Sequence, residues 1–298
     1  MTRAPGSQAE GRAGWWFVAP ALTLIGVFYG IPVLAAFLLS FTDFDLYAIG
    51  NLDTVRVTGL GNYAALLHNP VFWTALRNTL YFALVGGPLS VLVSLSAALL
   101  VNARLARWKG VFRTIYFTPV VTTLVAVAVV WRYLYHPSYG LLNYGLSQLG
   151  IGRIDWLGDP RWSMPAIIVM AVWKNFGYNM LIFVAGLQNV AAELHEAAEL
   201  DGASTWQRFR HVTVPALAPT FLLVGVLTTI GNFQLFSEPY VMTQGGPLRS
   251  TTTMVLLLYE EGFRWWRIGV AAAISVVLFL IVLAGTALQI RLQRRAAP

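Results

Sequence analysis

Neutral polar side chains recur within apolar stretches of the chain, at spacings that place them on common helix faces. Asn175 and Asn179 are four residues apart, as are Thr228 and Asn232, and residues four apart share one face of a helix. Amide and hydroxyl groups donate and accept hydrogen bonds, so the set suits a neutral, hydroxyl-rich ligand. The candidate ligand-pathway residues are Thr122, Thr123, Lys174, Asn175, Asn179, Thr228, Asn232 and Gln234. Hydrogen bonding between helices is the alternative role.

Lys174 is the charged member of this set, and charged side chains inside apolar segments are costly and often functional. It can pair with a carboxylate such as Glu238, or it can point into a polar cavity. A lysine in a ligand pathway would be compatible with a phosphorylated or acidic substrate.

A second informative segment is the polar stretch 188–216, which is acidic in its first half. Alanine, leucine and glutamate predict a helix over 191–201, and Gly202 is a suitable helix stop. Ser204 or Thr205 can cap a second short helix that extends to Arg210. We expect two short surface helices that face another protein. A helix resting on the membrane is the alternative, but an acidic helix should avoid anionic head groups.

Catalytic chemistry finds little support in the residues. His195-Glu196 begins like the helix signature of zinc proteases, but the position of the second histidine is occupied by Glu199. The chain has no cysteine, which excludes disulfides and thiolate metal sites. It also lacks a phosphate-binding glycine loop ending in Gly-Lys-Ser/Thr. We therefore expect no enzyme activity, no metal site and no cofactor on this chain.

The composition identifies a membrane protein. Of 298 residues, 57% are hydrophobic and 11% are charged, whereas a soluble domain carries roughly 25% charged residues. The formal net charge is +7, from 20 Lys+Arg and 13 Asp+Glu. Because the basic residues flank apolar runs, contacts with membrane lipid explain them better than nucleic acid does.

Six apolar windows are long enough to cross a membrane, for which about 20 residues are needed. The predicted spans are 15–41, 79–101, 114–134, 164–187, 217–237 and 268–289. They predict an all-α protein with one membrane domain over 15–290, preceded by a segment 1–14 and followed by a tail 291–298. The first window is too long for a cleavable signal peptide.

Basic residues predict the orientation, because Lys and Arg accumulate on the cytoplasmic side of membrane proteins. They are denser in the two terminal segments, in 102–113 and in 188–216 than in the opposite loops. The residues on the richer side are Arg3, Arg12, Arg104, Arg107, Lys109, Arg113, Arg208, Arg210, Arg291, Arg294 and Arg295. Both termini are therefore expected in the cytoplasm.

The segment 188–216 resembles the Glu-Ala-Ala motif of the permeases of binding-protein-dependent ABC importers. That motif continues with three residues, a glycine, nine residues and Ile-x-Leu-Pro. Here the matching residues, at the same spacing, are Glu196, Ala197, Ala198, Gly202, Val212 and Pro215. Valines at 212 and 214 replace the isoleucine and leucine and keep the apolar character.

Further short sequence segments are similar to one branch of these permeases, the carbohydrate permeases of the maltose-transporter type. Within that branch, the chain resembles the first permease of a heterodimeric pair. The segments are Gly59–Tyr63, Tyr139–Asn143, Trp156–Pro160, Asn179–Phe183, Gly186–Gln188 and Thr243–Pro247. The large outside domain and the additional N-terminal spans of the maltose permease have no counterpart here.

The resemblance implies the fold of a type I ABC importer permease in a bacterial or archaeal cytoplasmic membrane. It implies a second homologous permease, two ATPase subunits that bind ATP and Mg²⁺, and an extracytoplasmic sugar-binding lipoprotein or periplasmic protein. The helix around Glu196–Gly202 would be the coupling helix, seated on the ATPase. The polar span residues would line a sugar pathway. A glycerol-phosphate-type or other polyol substrate is the main alternative, and an ATP-independent carrier or channel is a further one.

Overall fold

The computed structural model describes the backbone of residues 6–103 and 108–296 and the side chains of these residues except 6–14, 49, 52 and 293–296. The predictions for residues 1–5, for Arg104 and Arg107, and for residues 297–298 lie outside the described residues. Within them the fold is all-α, as predicted, with a single β-bridge between Thr42 and Val57.

In chain order the helices are α1 (Gly6–Ile25 and Ile31–Leu39), α2 (Gly61–His68), α3 (Pro70–Tyr81 and Gly87–Asn102), α4 (Lys109–Val121), α5 (Leu124–Leu134), α6 (Leu141–Gln148), α7 (Ser163–Gln188), α8 (Ala192–Leu200), α9 (Thr205–Arg208 and Val214–Ala216), α10 (Ala218–Phe233), α11 (Ser237–Met242), α12 (Met254–Tyr259) and α13 (Ile268–Ala296). π-Helical turns at Gly26–Gly30, Phe82–Gly86 and Phe209–Thr213 join the halves of α1, α3 and α9, and another follows α12 at Glu260–Arg264. Short 3₁₀ turns lie at Tyr47–Ile49 and Leu52–Thr54.

The described residues contain four helices that are long and apolar enough to cross a membrane, or up to six if each bent pair is one span. The four are Trp15–Leu39, Pro70–Asn102, Ser163–Gln188 and Ile268–Leu292; the bent pairs are α4 with α5 and α9 with α10. Helix α3 begins at Pro70, before the predicted start at residue 79. Asn69 caps it by accepting a 2.9 Å hydrogen bond from the Val71 amide.

The window 114–134, predicted as one span, contains two helices, α4 and α5. Helices α4 and α5 meet at 97°, and the connecting Thr122 and Thr123 are extended, with ψ of 141° and 137°. Pro119 lies one turn before the break and supplies no amide hydrogen to the preceding turn. Helix α10 ends at Phe233, and the predicted fifth span extends to residue 237.

The described chain divides into two compact units. The first holds the residues up to His68 and Leu258–Val277. In it, Asn62 Nδ2 donates to the carbonyl oxygens of Ser40 (2.9 Å) and Thr42 (2.8 Å). No residue in the most apolar window of α1 is buried within the chain, so lipid or another subunit must cover this surface.

The second unit holds Asn69–Leu257 and the residues from Leu278 onward, and its core is the packing of α3 and α4 against α7. Ser94 Oγ donates to the Phe176 carbonyl at 3.0 Å, which joins α3 to α7. At Gly177 the backbones of α7 and α4 approach so closely that an added Cβ atom would overlap the Tyr116 carbonyl oxygen. This packing positions the polar side chains of α7.

Candidate functional site

A polar cavity of about 430 Å³ lies in the second unit, with walls from α3, α4, α7, α10 and the start of α11. Most of the predicted pathway residues line it together, namely Asn175, Asn179, Thr228, Asn232 and Gln234. Amides and hydroxyls from separate helices therefore converge on one space, as expected from their spacing. Such a wall can offer several hydrogen bonds to a neutral polar ligand.

Asn179 both lines the cavity and joins helices. Its Nδ2 donates to Thr228 Oγ1 at 3.1 Å and to Ser90 Oγ at 3.5 Å. The side chain is buried, and its two contacts tie α7 to α10 and α3. The alternative role of hydrogen bonding between helices therefore applies to this residue in the present conformation.

Asn232 differs from Asn179, because its buried Nδ2 has no hydrogen-bond partner among the residues that the structure describes. The side chain packs over Gly87, where an added Cβ atom would lie 3.2 Å from this nitrogen. A buried amide donor without a partner costs about 1–3 kcal/mol. A ligand in the adjoining cavity would supply the missing acceptor.

Lys174, Thr122 and Thr123 do not line the cavity. Lys174 is buried, and its Nζ donates to the Val120 carbonyl at 3.5 Å. Thr122 is exposed at the break between α4 and α5, and its Oγ1 donates to the Thr118 carbonyl at 3.0 Å. These three residues lie apart from the space that the amides enclose.

Several lining residues were not among the predicted set, namely Phe82, Ser90, Tyr178, Phe236 and Glu238. A signal existed for two of them: Tyr178 precedes Asn179 on the same helix, and Ser90 is four residues before Ser94 in an apolar helix. Glu238 follows the fifth predicted span, and the sequence analysis considered it only as a partner of Lys174. Burial raises the pKa of the Glu238 carboxyl, while a backbone hydrogen bond and the charge of Lys174 lower it.

The segment 188–216 folds into the predicted pair of surface helices, α8 and α9. Helix α8 ends at Leu200, and Gly202 follows two residues later with φ of +76°. The Gly202 amide donates to the Glu199 carbonyl (3.0 Å) and the Ala203 amide to the Ala198 carbonyl (2.9 Å). This pair of bonds closes a helix end around a left-handed residue, a position that favours glycine.

A capping box begins α9. Ser204 Oγ accepts from the Gln207 amide at 3.3 Å, and Gln207 Oε1 accepts from the Ser204 amide at 2.7 Å. An ion pair between Glu199 and Arg208, 2.7 Å apart, links α8 to α9. The two helices are thus joined at their ends and by side chains.

The predicted motif residues have different exposures. Glu196, Ala197, Gly202 and Pro215 are exposed, while Ala198 and Val212 are half-buried. Ala198, Gly202 and Val212 border a shallow depression of about 320 Å³ between α8 and α9. The exposed members form a surface on which another protein can sit.

The helix pair is continuous with the cavity wall. Helix α9 bends by 66° into α10 at Leu217, which is fully buried in a core cluster with Phe183 and Met180. Thr228 and Asn232 lie near the other end of α10. Because α9 continues directly into α10, a movement of α9 would be transmitted through the backbone to Thr228 and Asn232 in the cavity wall.

Apolar spans, a polar cavity between them and an exposed helix pair that connects to the cavity wall define a membrane transport subunit. Among the described residues, no group of three His, Cys, Asp or Glu side chains could hold a metal ion. Residues 8–298 match the family described as "binding-protein-dependent transport system inner membrane component", and the chain belongs to this family.

The chain is similar in sequence to curated relatives over most of their length. The chain is 39% identical to the lactose transport system permease protein of Rhizobium radiobacter over 274 residues, which covers 90% of each chain. It is 35% identical to the trehalose/maltose transport system permease protein of Thermococcus litoralis over 285 residues, covering 96% of this chain and 95% of the relative. The protein is thus a permease subunit of an ABC importer.

A solved structure shares the fold. It is a bacterial alginate ABC transporter in complex with an alginate pentasaccharide-bound periplasmic protein, and the superposition has a TM-score of 0.80 at 21% identity. The match covers 99% of each chain.

Proposed function

We propose that this permease forms half of the translocation pathway of an ATP-driven sugar importer. Its partners would be a second homologous permease, two ATPase subunits and an extracytoplasmic sugar-binding lipoprotein or periplasmic protein. The observation that carries the proposal is the amide-lined cavity on α10, which is covalently continuous with the helix pair α8–α9. The curated relatives described above are named for lactose and for trehalose/maltose, which supports a sugar as the cargo.

Coupling would begin at α8. The ATPase subunits would bind ATP and Mg²⁺, and this chain would bind neither. Closure of the ATPase dimer would displace α8, the Glu199–Arg208 ion pair would transmit the displacement to α9, and the bend at Leu217 would turn α10. The direction of transport follows from the different affinity of ATP for the two states, because a ligand shifts an equilibrium only by its differential binding.

A glycerol-phosphate-type substrate is less well supported than a neutral sugar or other polyol. Recognition of phosphate requires a cation, and the lysine nearest the cavity, Lys174, is buried and engaged with the Val120 carbonyl. The cavity wall presents the carboxyl group of Glu238 instead.

The test is purification of the tagged chain from its native membrane in mild detergent, followed by mass spectrometry of the proteins that accompany it. We expect a second six-span permease and an ATPase with a Gly-Lys-Ser/Thr loop. In proteoliposomes, ATP hydrolysis should rise when the binding protein is loaded with its sugar. A chain that purifies alone and moves sugar without ATP would contradict the proposal and favour an ATP-independent carrier.

A further inference from the structure

The polar groups of the cavity wall differ in charge. Among the described residues that line it, Glu238 carries the only ionisable carboxyl, and neither lysine nor arginine is present. The other polar groups are the amides and hydroxyls of α7 and α10, together with Ser90 and Ser237. The charge of the wall therefore depends on one side chain.

Glu238 is placed by the chain segment that follows α10. Residues 234–236 leave the helix and themselves line the cavity, and α11 begins at Ser237 with Glu238 in its first turn. A carboxylate in the first turn of a helix is favoured by the free amide groups there. The half-buried Glu238 side chain is thus held at the cavity wall. In the sequence, Glu238 lies close to Gln234 and Asn232.

The nearest cation, Lys174, is not part of the cavity lining. Lys174 interacts electrostatically with Glu238, but its Nζ is directed to the Val120 carbonyl and the residue is absent from the cavity lining. Burial raises the pKa of the Glu238 carboxyl and the Lys174 charge lowers it, but only the carboxyl group belongs to the cavity lining. A ligand entering the cavity therefore meets the negative partner of the pair.

We infer that Glu238 is a specificity-determining residue that restricts the cargo to neutral or cationic polyhydroxylated molecules and rejects uronates, sulfonates and phosphates. This inference rests on the proposed function and narrows its substrate class. A ligand hydroxyl can donate to the carboxylate in a charge-assisted hydrogen bond, which is about twice as strong as a neutral one. An anionic ligand would instead face repulsion in a site partly shielded from water.

The test uses the absence of native cysteine in this chain. Gln234→Cys places a thiol in the exposed part of the cavity lining, and Ser138→Cys places one on an exposed loop outside it. In the detergent-purified complex, the introduced cysteine is allowed to react with a cationic reagent, trimethylammonium-ethyl methanethiosulfonate, or with an anionic one, sulfonatoethyl methanethiosulfonate. The intact mass of this chain, followed over time, gives the two reaction rates. The ratio of the cationic to the anionic reaction rate at position 234 is divided by the same ratio at position 138. This normalised ratio measures the electrostatic potential in the cavity.

We expect a normalised ratio well above one, with a fall of roughly fivefold to tenfold on Glu238→Gln and little change on Glu238→Asp. Raising the salt from low to molar concentration should also reduce the ratio in the Gln234→Cys protein that retains Glu238, so an unstable glutamine variant would not prevent the measurement. A normalised ratio near one, insensitive to salt and to Glu238→Gln, would overturn the inference. It would leave the importer proposal intact, because the assay requires neither sugar nor ATP.

Discussion

At the scale of single residues, the two asparagines that face the cavity have different hydrogen-bonding states. Asn179 Nδ2 is engaged by Thr228 and Ser90, whereas Asn232 Nδ2 is buried without a partner. An amide that already has partners contributes to helix packing. An unpaired amide carries a cost that a ligand acceptor would recover, and Asn232 lines the cavity in which such a ligand would bind.

This difference predicts opposite effects of two alanine substitutions. Asn232→Ala should leave the thermal midpoint of the purified complex unchanged or raise it, because it removes an unpaired buried amide, and it should lower sugar uptake about threefold to tenfold, the value of one neutral hydrogen bond. Asn179→Ala should lower the midpoint, because it removes bonds worth about 0.6 kcal/mol each within a membrane. Thermal unfolding and uptake into proteoliposomes measure both effects. A loss of stability in Asn232→Ala would show that this amide has a structural partner.

Gly202 supports a second prediction at this scale. Gly202→Asp should abolish uptake while the protein remains in the membrane, since no atom lies within 4 Å of the added Cβ atom and the cost is confined to the left-handed backbone. The loss would come from a side chain intruding on the ATPase contact.

Gly150 provides a matched control for this variant. It has φ of +74° and equally open surroundings, but it lies between α6 and α7 on another loop. Gly150→Asp should therefore transport normally. Equal loss in both variants would assign the effect to backbone strain, and normal uptake by Gly202→Asp would count against the coupling role of α8.

At the scale of elements, the sequence predicted helices wherever a local signal was sufficient. The apolar runs identified the membrane helices, and alanine, leucine and glutamate identified α8. The break between α4 and α5 had only Pro119 as a local signal, because apolar residues continue on both sides of Thr122 and Thr123. Glu238 reaches the cavity because residues 234–238 leave α10 and follow the cavity wall, a backbone course that no local pattern predicts.

The contact between α4 and α7 gives a prediction for helix packing. In Gly177→Ala the new Cβ atom would overlap the Tyr116 carbonyl, and backbone atoms cannot move aside cheaply. We expect a loss of about 1–3 kcal/mol in stability and a lower thermal midpoint.

Gly225→Ala is the control for this substitution, because it lies within α10 with no atom inside 4 Å of its Cβ position. Alanine is favoured over glycine in a helix by about 0.5–1 kcal/mol, so this variant should be at least as stable as the original chain. If both variants have the same midpoint, the close approach of α4 and α7 is not a constraint on the fold.

At the scale of the whole molecule, the low charge content and the distribution of arginine and lysine describe the relation of the chain to its membrane. The loops that are denser in basic residues include the segment of α8 and α9, which we propose faces the ATPase. The coupling role therefore requires that α8 and α9 lie in the cytoplasm and that the loop containing α6 lies on the opposite side. The distribution of basic residues and the proposed coupling role therefore predict the same orientation.

Labelling of single cysteines tests this orientation, because the natural chain has none. Ser147→Cys in α6 should react with a membrane-impermeant maleimide on intact spheroplasts, whereas Gln207→Cys in α9 should react only in inverted vesicles or after permeabilisation. Gln207 takes part in the capping box, so Thr205→Cys, exposed on the same helix, serves as its second variant. Labelling of position 205 or 207 from the outside would place α8 and α9 away from ATP. The coupling mechanism would then be untenable, however well the fold matches that of an importer.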